Sequence, residues 1–165
     1  MAKYATVELT KVASRKTGEI EAQCKLNKDI ECLYNGEVVF VDATNNEVTK
    51  TFSADNCVDA IYVHFSNPRR YEDGKTGMEN FRYERNDDYK IVGDKYLPRL
   101  FKLTTGDIFT TNYDFAKKDG SLLTAPVTAG TAFTFGNHKI VAINEKSANG
   151  TMPNGAIGAV YRVIK

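Results

Sequence analysis

The sequence predicts a mainly β protein, a single-domain β-barrel or β-sandwich with long loop excursions and little helix. Valine, isoleucine, threonine, tyrosine and phenylalanine far outnumber the eight leucines, and β-branched and aromatic side chains suit a pleated sheet. Apolar and polar residues alternate along several short stretches. Small groups of Asn, Asp and Gly, which tolerate positive φ, separate these stretches, as is typical of short strands joined by turns.

The first strand is predicted at residues 4–12, where Ala5, Val7 and Leu9 share one face. The turns at 42–47 and 104–107 should close hairpins, because apolar alternation resumes on both sides of each. Helix is limited to possible single turns at 55–60 and 113–118. Ten further strands are predicted, at residues 19–26, 30–34, 37–42, 47–52, 58–65, 97–104, 107–112, 132–135, 139–144 and 159–164.

Two stretches interrupt this pattern within the single domain predicted for residues 1–165. Residues 66–95 hold seven basic and seven acidic side chains with four aromatic residues among them. A loop of that length in a compact domain is usually functional or disordered, and the aromatic residues favour an ordered arm or loop. Residues 146–158 form a Gly/Asn-rich loop, expected to be mobile or ordered by a partner.

Composition narrows the classes of partner. Lysine and arginine total 22 against 21 acidic residues, a net charge of +1, so no strong field attracts nucleic acid or an anionic membrane. Hydrophobic residues make up 42% of the chain, and no apolar run or signal-like segment is present. We therefore expect synthesis in the cytoplasm, with Cys24, Cys32 and Cys57 reduced and mostly buried.

A catalytic site is not expected. Only His64 and His138 could serve as a histidine base, and the motifs typical of serine hydrolases, zinc proteases and phosphate-binding loops are missing. The pairs Glu72-Asp73 and Asp87-Asp88 lie beside basic residues, which favours a solvated ionic surface over a cation site. Two acids distant in sequence, as in glycosidases, remain an open alternative. The prediction is a non-enzyme with no metal and no cofactor.

The one compositional anomaly with binding character is the mixture of arginine and tyrosine in 66–95. Both residue types are enriched in protein interface hot spots, because tyrosine buries a large area and arginine pairs bidentately with carboxylates. A well-packed surface loop and a sugar-binding tyrosine platform are the alternatives. The candidate partner-binding residues are Arg69, Arg70, Tyr71, Phe81, Tyr83, Arg85 and Arg99.

Two segments resemble a known family. The first combines residues 21–31, EAQCKLNKDIE, with residues 35–42, NGEVVFVD; the second is residues 99–112, RLFKLTTGDIFTTN. Both are similar to segments of the capsid auxiliary proteins, also called decoration or cement proteins, of tailed bacteriophages. The likeness covers about half the chain and does not extend to residues 66–95, so no contact residues carry over from the family.

The resemblance implies a structural virion protein on the capsid surface, made in the host cytoplasm. Its implied partners are the major capsid protein and copies of itself, in a homo-oligomer on the particle, without nucleic acid or membrane. Such a protein would stabilise the head lattice against packaged DNA. The alternatives are a phage tail or baseplate subunit and a carbohydrate-binding adhesin, with a cytoplasmic enzyme less favoured than either.

Overall fold

A computed structural model describes residues 5–66, 69–71, 81–83, 90–92, 97–117, 119–143, 152 and 156–165. In chain order, the elements are β1 (Val7–Lys11), α1 (Ala13–Thr17), β2 (Ile20–Glu21), β3 (Lys25–Leu26), β4 (Cys32–Tyr34), β5 (Val38–Asp42), β6 (Glu47–Thr49), β7 (Ile61–His64), β8 (Arg69–Tyr71), β9 (Phe81–Tyr83), β10 (Lys90–Val92), β11 (Leu100–Leu103), β12 (Ile108–Thr111), β13 (Ala132–Phe135), β14 (His138–Ala142) and β15 (Ala159–Val163). The prediction of a mainly β protein with little helix is confirmed.

The strands form two large sheets. The five-stranded sheet has the order β1-β12-β15-β14-β13, and all its pairs are antiparallel. The six-stranded sheet has the order β2-β11-β7-β5-β6-β3, in which only β3 and β6 run parallel. Two smaller pairs, β4 with β10 and β8 with β9, complete the described strands. Since the described strands close no barrel, the fold is sandwich-like.

Two hydrophobic clusters hold these layers together. The larger one, which we call the central cluster, lies between the sheets. It contains Phe40 and Val63 of the six-stranded sheet together with Phe109 and Tyr161 of the five-stranded sheet. The smaller one, which we call the outer cluster, covers the opposite face of the six-stranded sheet. Its members include Cys24, Leu33 and Leu100. The six-stranded sheet is therefore buried on both faces, as in the core of a layered domain.

The structure corrects the local predictions at the helix. The predicted strand at 19–26 is two separate pairs of residues, β2 and β3. Among the described residues the helix is α1, whereas 55–60 and 113–117 are not helical. α1 is capped by Gly18, whose φ of 79° is left-handed and whose N–H donates to the Ser14 carbonyl at 2.9 Å. A glycine in this conformation is a common helix C-cap.

One of the two predicted hairpins is confirmed. Residues 42–47 close the β5–β6 hairpin, where Asp42 Oδ1 accepts the N–H groups of Thr44 and Asn45 at 2.8 and 3.0 Å. The Asn45 side chain also donates to Asp42 Oδ2 at 3.0 Å. The bonds from the Asn45 backbone and side chain are the main reason why the pKa of Asp42 lies below its usual value. Such an Asx-type turn is a local property of the sequence.

The hairpin predicted at 104–107 is wrong. β11 belongs to the six-stranded sheet and β12 to the five-stranded sheet, so this turn crosses from one layer to the other. Asp107 fixes the crossing, because its carboxylate accepts the N–H of Thr104 at 2.8 Å and that of Ala13 at 3.0 Å. Alternation identified both strands correctly but carries no information about which strand each one pairs with.

The structure also bears on the predictions for residues 66–95, for residues 146–158 and for the three cysteines. Residues 66–95 contain β8, β9 and β10, three strands that alternation did not predict. Most of the loop at 146–158 lies outside the described residues. All three cysteines are free, but only Cys24 is buried, whereas Cys32 and Cys57 are half-buried. The expectation of mostly buried thiols therefore applies to Cys24 alone.

Candidate functional site

The candidate partner-binding residues lie mainly on one β ribbon. We call residues 67–98 the insert, because they connect β7 to β11. In the insert, β8 pairs with β9 in antiparallel register, with Arg69 opposite Tyr83, Arg70 opposite Arg82 and Tyr71 opposite Phe81. The fold thus brings five of the seven predicted residues into one two-stranded sheet, separate from both large sheets.

The other two predicted residues are placed differently. Arg85 lies outside the described residues. Arg99 immediately precedes β11 and is exposed, with its guanidinium carbon 5.8 Å from the centre of the Phe101 ring. This distance is within the range of a cation–π contact. Arg99 thus lies at the end of the insert, not on the β8–β9 ribbon.

A buried polar cluster joins the two ends of the insert. Ser66 and Asn35 exchange two hydrogen bonds, since the Ser66 N–H donates to Asn35 Oδ1 and Asn35 Nδ2 donates to the Ser66 carbonyl, both at 2.9 Å. The Arg99 N–H donates to Ser66 Oγ at 2.9 Å, and the Phe65 N–H donates to the Arg99 carbonyl at 3.0 Å. The entry and exit of the insert are therefore held side by side.

His64 extends this cluster to the β4–β5 turn. Its Nδ1 lies 2.8 Å from the Tyr34 carbonyl and its Nε2 lies 2.8 Å from Ser66 Oγ. Because a carbonyl only accepts, Nδ1 carries the proton, and Nε2 accepts the Ser66 hydroxyl. His64 is fully buried, and that burial lowers its pKa to about 4. It is a neutral structural histidine with both nitrogens occupied.

The insert returns to the domain beside this cluster. β10 pairs with β4, with Lys90 opposite Tyr34, Ile91 opposite Leu33 and Val92 opposite Cys32. The Tyr34 and Asn35 backbone therefore connects the returning strand to the polar cluster. No local pattern in the sequence indicates this cluster, because nothing local shows that residues 30 positions apart, such as Asn35 and Ser66, share hydrogen bonds.

A second buried polar group lies on the same turn. Glu37 is buried, and it accepts the Tyr34 N–H at 3.1 Å, the Tyr113 hydroxyl at 3.1 Å and the Lys50 ammonium at 2.6 Å. Burial, with the Glu37 carboxylate as the next cause, raises the pKa of Tyr113 above its ordinary value. These contacts satisfy the carboxylate, as a buried charge requires, so Glu37 has a structural role.

A cleft of about 510 Å³ opens next to Tyr34, and no local sequence pattern indicates it. The Tyr34 hydroxyl donates a hydrogen bond to Cys32, and this bond, followed by burial, raises the pKa of Tyr34. A Cβ on Gly120 would collide with the Tyr34 ring, so glycine is needed there. The lining residues are Asn27, Asp29, Ile30, Glu31, Cys32, Tyr34, Thr49, Lys50, Thr51 and Asp119. Lysine and acids are mixed along this wall, and its lysine is already paired with Glu37.

The remaining features bear on catalysis, metal binding and membrane insertion. His138 Nε2 lies 3.1 Å from the exposed Asp59 carboxylate. The acid pairs Glu72-Asp73 and Asp87-Asp88 lie outside the described residues. Within the described part of the chain, no three His, Cys, Asp or Glu residues are grouped as metal ligands. No helix in those residues has the length and hydropathy to cross a bilayer.

Comparison with known proteins identifies no relative. No family model matches the chain, and no curated protein or solved structure matches it significantly.

Proposed function

We propose that this chain is a structural virion protein of a tailed bacteriophage, a capsid auxiliary protein that stabilises the head lattice. The proposed partners are the major capsid protein and further copies of the chain itself, without nucleic acid, membrane or cofactor. Attachment is through the insert. Support comes from the two resembling segments and from the structural roles of the residues that form them.

The segment RLFKLTTGDIFTTN supports the proposal through its roles in packing. It comprises β11, the crossing turn and β12, and it therefore links the two sheets. Thr111 Oγ1 donates to the Thr6 carbonyl at 2.7 Å, and Asn112 Oδ1 accepts the Thr6 N–H at 2.7 Å. Side chains used in this way build a scaffold. The resemblance in this segment therefore concerns residues that stabilise the fold, and a stable scaffold is what a structural protein of a capsid requires.

The observation that carries the proposal is the β8–β9 ribbon. It is a separate two-stranded sheet, and isolated two-stranded ribbons are marginally stable in water. Its register places Arg69 opposite Tyr83 and Tyr71 opposite Phe81. Aromatic residues and arginine are the types that dominate protein interfaces, and an aromatic side chain packed against a partner removes apolar area from water at roughly 25 cal/mol per Å². A protein surface is therefore the expected ligand.

The charge balance of the insert favours a protein over a polyanion. Residues 66–95 carry seven basic and seven acidic side chains, and the acids would repel phosphate groups. A capsid surface with charges of both signs can pair with both. Most of the binding energy is expected in a few central contacts of arginine and tyrosine.

Electron microscopy of the native particle tests the location. The expected result is density for this chain on the icosahedral shell. Density at the tail or baseplate would replace the capsid assignment with the tail alternative. An absence of the chain from the particle would overturn both virion assignments.

Deletion tests the role of the insert. Replacing residues 72–88 by a short Gly-Ser bridge should leave a folded domain, because both large sheets form without those residues. Attachment to the particle should fall sharply. The matched control is Val58→Ser, which changes an apolar residue of 40% exposure outside the insert and should attach normally. Full occupancy by the folded deletion variant would move the interface away from the insert.

A further inference from the structure

The outer edge of β13 differs from the other sheet edges. The two large sheets end at β1, β13, β2 and β3. β2 and β3 are two residues long and include Glu21 and Lys25. β1 carries Glu8 and Lys11 with an irregular register between them. Short length, charge and bulges are the devices by which proteins prevent unwanted pairing at sheet edges.

β13 has none of these protective features. Its register with β14 is unbroken over four residues, from Ala132 opposite Val141 to Phe135 opposite His138. Residues 130–136 read GTAFTFG, with no charged residue and no proline. Uncharged segments of high β propensity readily pair with another strand. The edge is therefore a strong template for strand addition.

The hydrogen bonds of β14 show which groups of β13 face outward. Lys139 and Ile143 of the β14 region donate their N–H groups toward β15 and its continuation, to the carbonyls of Lys165 and Val160. The alternate residues, including Ile140, therefore pair with β13, through Phe133 and Phe135. The N–H and C=O groups of Ala132 and Thr134 consequently point away from the sheet, and none of the described contacts involves them.

We propose that β13 pairs with β13 of a second copy of this chain, antiparallel, about a twofold axis at Phe133. In this register Ala132 lies opposite Thr134 of the second copy, and the two pairs make four backbone hydrogen bonds. The edge is self-complementary, because small uncharged residues lie opposite each other across the axis and no like charges meet. Symmetric pairing of one patch with itself is the usual form of a dimer interface.

The pairing requires no change in the core. Phe133 and Phe135 lie 5.5 and 5.6 Å from Phe115, measured between ring centres, and both are packed against the central cluster. Ala132 and Thr134 are exposed. The inference deepens the self-association in the proposed function. It is tested on the isolated protein, so it can fail while attachment to a particle stands.

A charge-exchange pair of variants tests the partner and the register together. A132K/T134K places two ammonium groups opposite two others across the axis and should abolish association. A132K/T134E places each ammonium group opposite a carboxylate and should restore it. All these positions are exposed, so both variants should melt like the native chain. Sedimentation over a concentration series should show association for the native chain and A132K/T134E, with A132K/T134K monomeric.

Amide hydrogen exchange supplies a second measurement. The Thr134 N–H should become protected as the concentration of the native chain rises, and it should stay unprotected in A132K/T134K. A native chain that remains monomeric at every concentration would overturn the inference. Equal association of all three proteins, without protection of Thr134, would also overturn it by placing the contact elsewhere. Protection of Thr134 only after addition of a different protein would replace the second copy with that protein.

Discussion

The two large sheets differ in how many of their faces are buried. In β5, at the centre of the six-stranded sheet, Val38, Val39, Phe40 and Val41 are all buried, because a hydrophobic cluster covers each face. In β13, at the edge of the five-stranded sheet, exposed and half-buried residues alternate. The six-stranded sheet is thus the interior layer, and β13 gives the five-stranded sheet an edge strand with exposed residues.

This difference separates the stabilising residues from the residues that can meet a partner. A side chain in a fully packed interior has no room to relax, so small changes there alter the free energy of unfolding strongly. An exposed edge residue contributes little to the fold of one chain and can be used for recognition. Matched substitutions in the two environments measure the contrast.

The largest effect is expected for Leu100→Ala. Leu100 is fully buried in the outer cluster of the six-stranded sheet, and such truncations lower the free energy of unfolding by about 2–5 kcal/mol. The control Leu97→Ala makes the same change at a residue that is 51% exposed, with an expected effect below about 0.5 kcal/mol. Urea denaturation measures both. Similar losses in the two variants would show that the outer cluster is not a core.

The junction between the sheets is tested by Gly36→Ala. Gly36 has a φ of +83°, and a Cβ there would collide with Thr111 Oγ1 across the interface. The control Gly106→Ala has a φ of +97° but open space around the added Cβ. Both carry the left-handed penalty of about 1–2 kcal/mol, so the excess loss at Gly36 reports the steric contact. Equal shifts in Tm would contradict a close approach of the two sheets at this point.

The polar cluster at the base of the insert should make stability depend on pH. The pKa of His64 is about 4 in the folded chain against an ordinary value of 6.5, so the unfolded chain binds this proton first as the pH falls. The contribution of His64 to the free energy of unfolding is complete above about pH 6.5. It is lost progressively as the pH falls from about 6.5 to about 4. The loss is on the order of 3 kcal/mol.

His64→Gln should remove this part of the pH dependence, whereas His138→Gln should retain it. The measurement is the free energy of unfolding at a series of pH values from 7 to about 4. The carboxylates common to all three proteins cancel in the comparison. A His64→Gln variant with the same pH profile as the native chain would rule out a buried neutral imidazole.

The smallest effect is expected for Thr134→Val, at the edge of the five-stranded sheet. The matched buried substitution is Thr111→Val. Thr111→Val removes a buried hydroxyl that donates to the Thr6 carbonyl and accepts the Tyr113 N–H, a loss of about 1–3 kcal/mol. Thr134→Val makes the same change at an exposed position and should stay within about 0.5 kcal/mol. Thermal melts of dilute, monomeric protein measure both. A large loss at Thr134 would show that the edge hydroxyl is structural.

Local patterns predicted most strands of the two sheets but only part of the candidate site. The alternation in 132–135 and the turn at 42–47 depend on neighbouring residues alone, and both appear as predicted. β8 and β9 were missed, because mixed charges obscure a period of two over three residues. The joint role of Asn35, His64 and Ser66 was also missed, since their hydrogen bonds connect positions far apart in the chain.

The fold class, the position of most strands and the uncharged character of β13 follow from local sequence, because strand propensity, alternation and turn chemistry act between near neighbours. Long-range packing sets the rest: residues 104–107 cross between sheets, β3 runs parallel to β6, and β13 lies at the edge of the described five-stranded sheet. Pairing partners are selected by non-local burial. Two strands with the same alternation can therefore become the centre of one sheet or the edge of another.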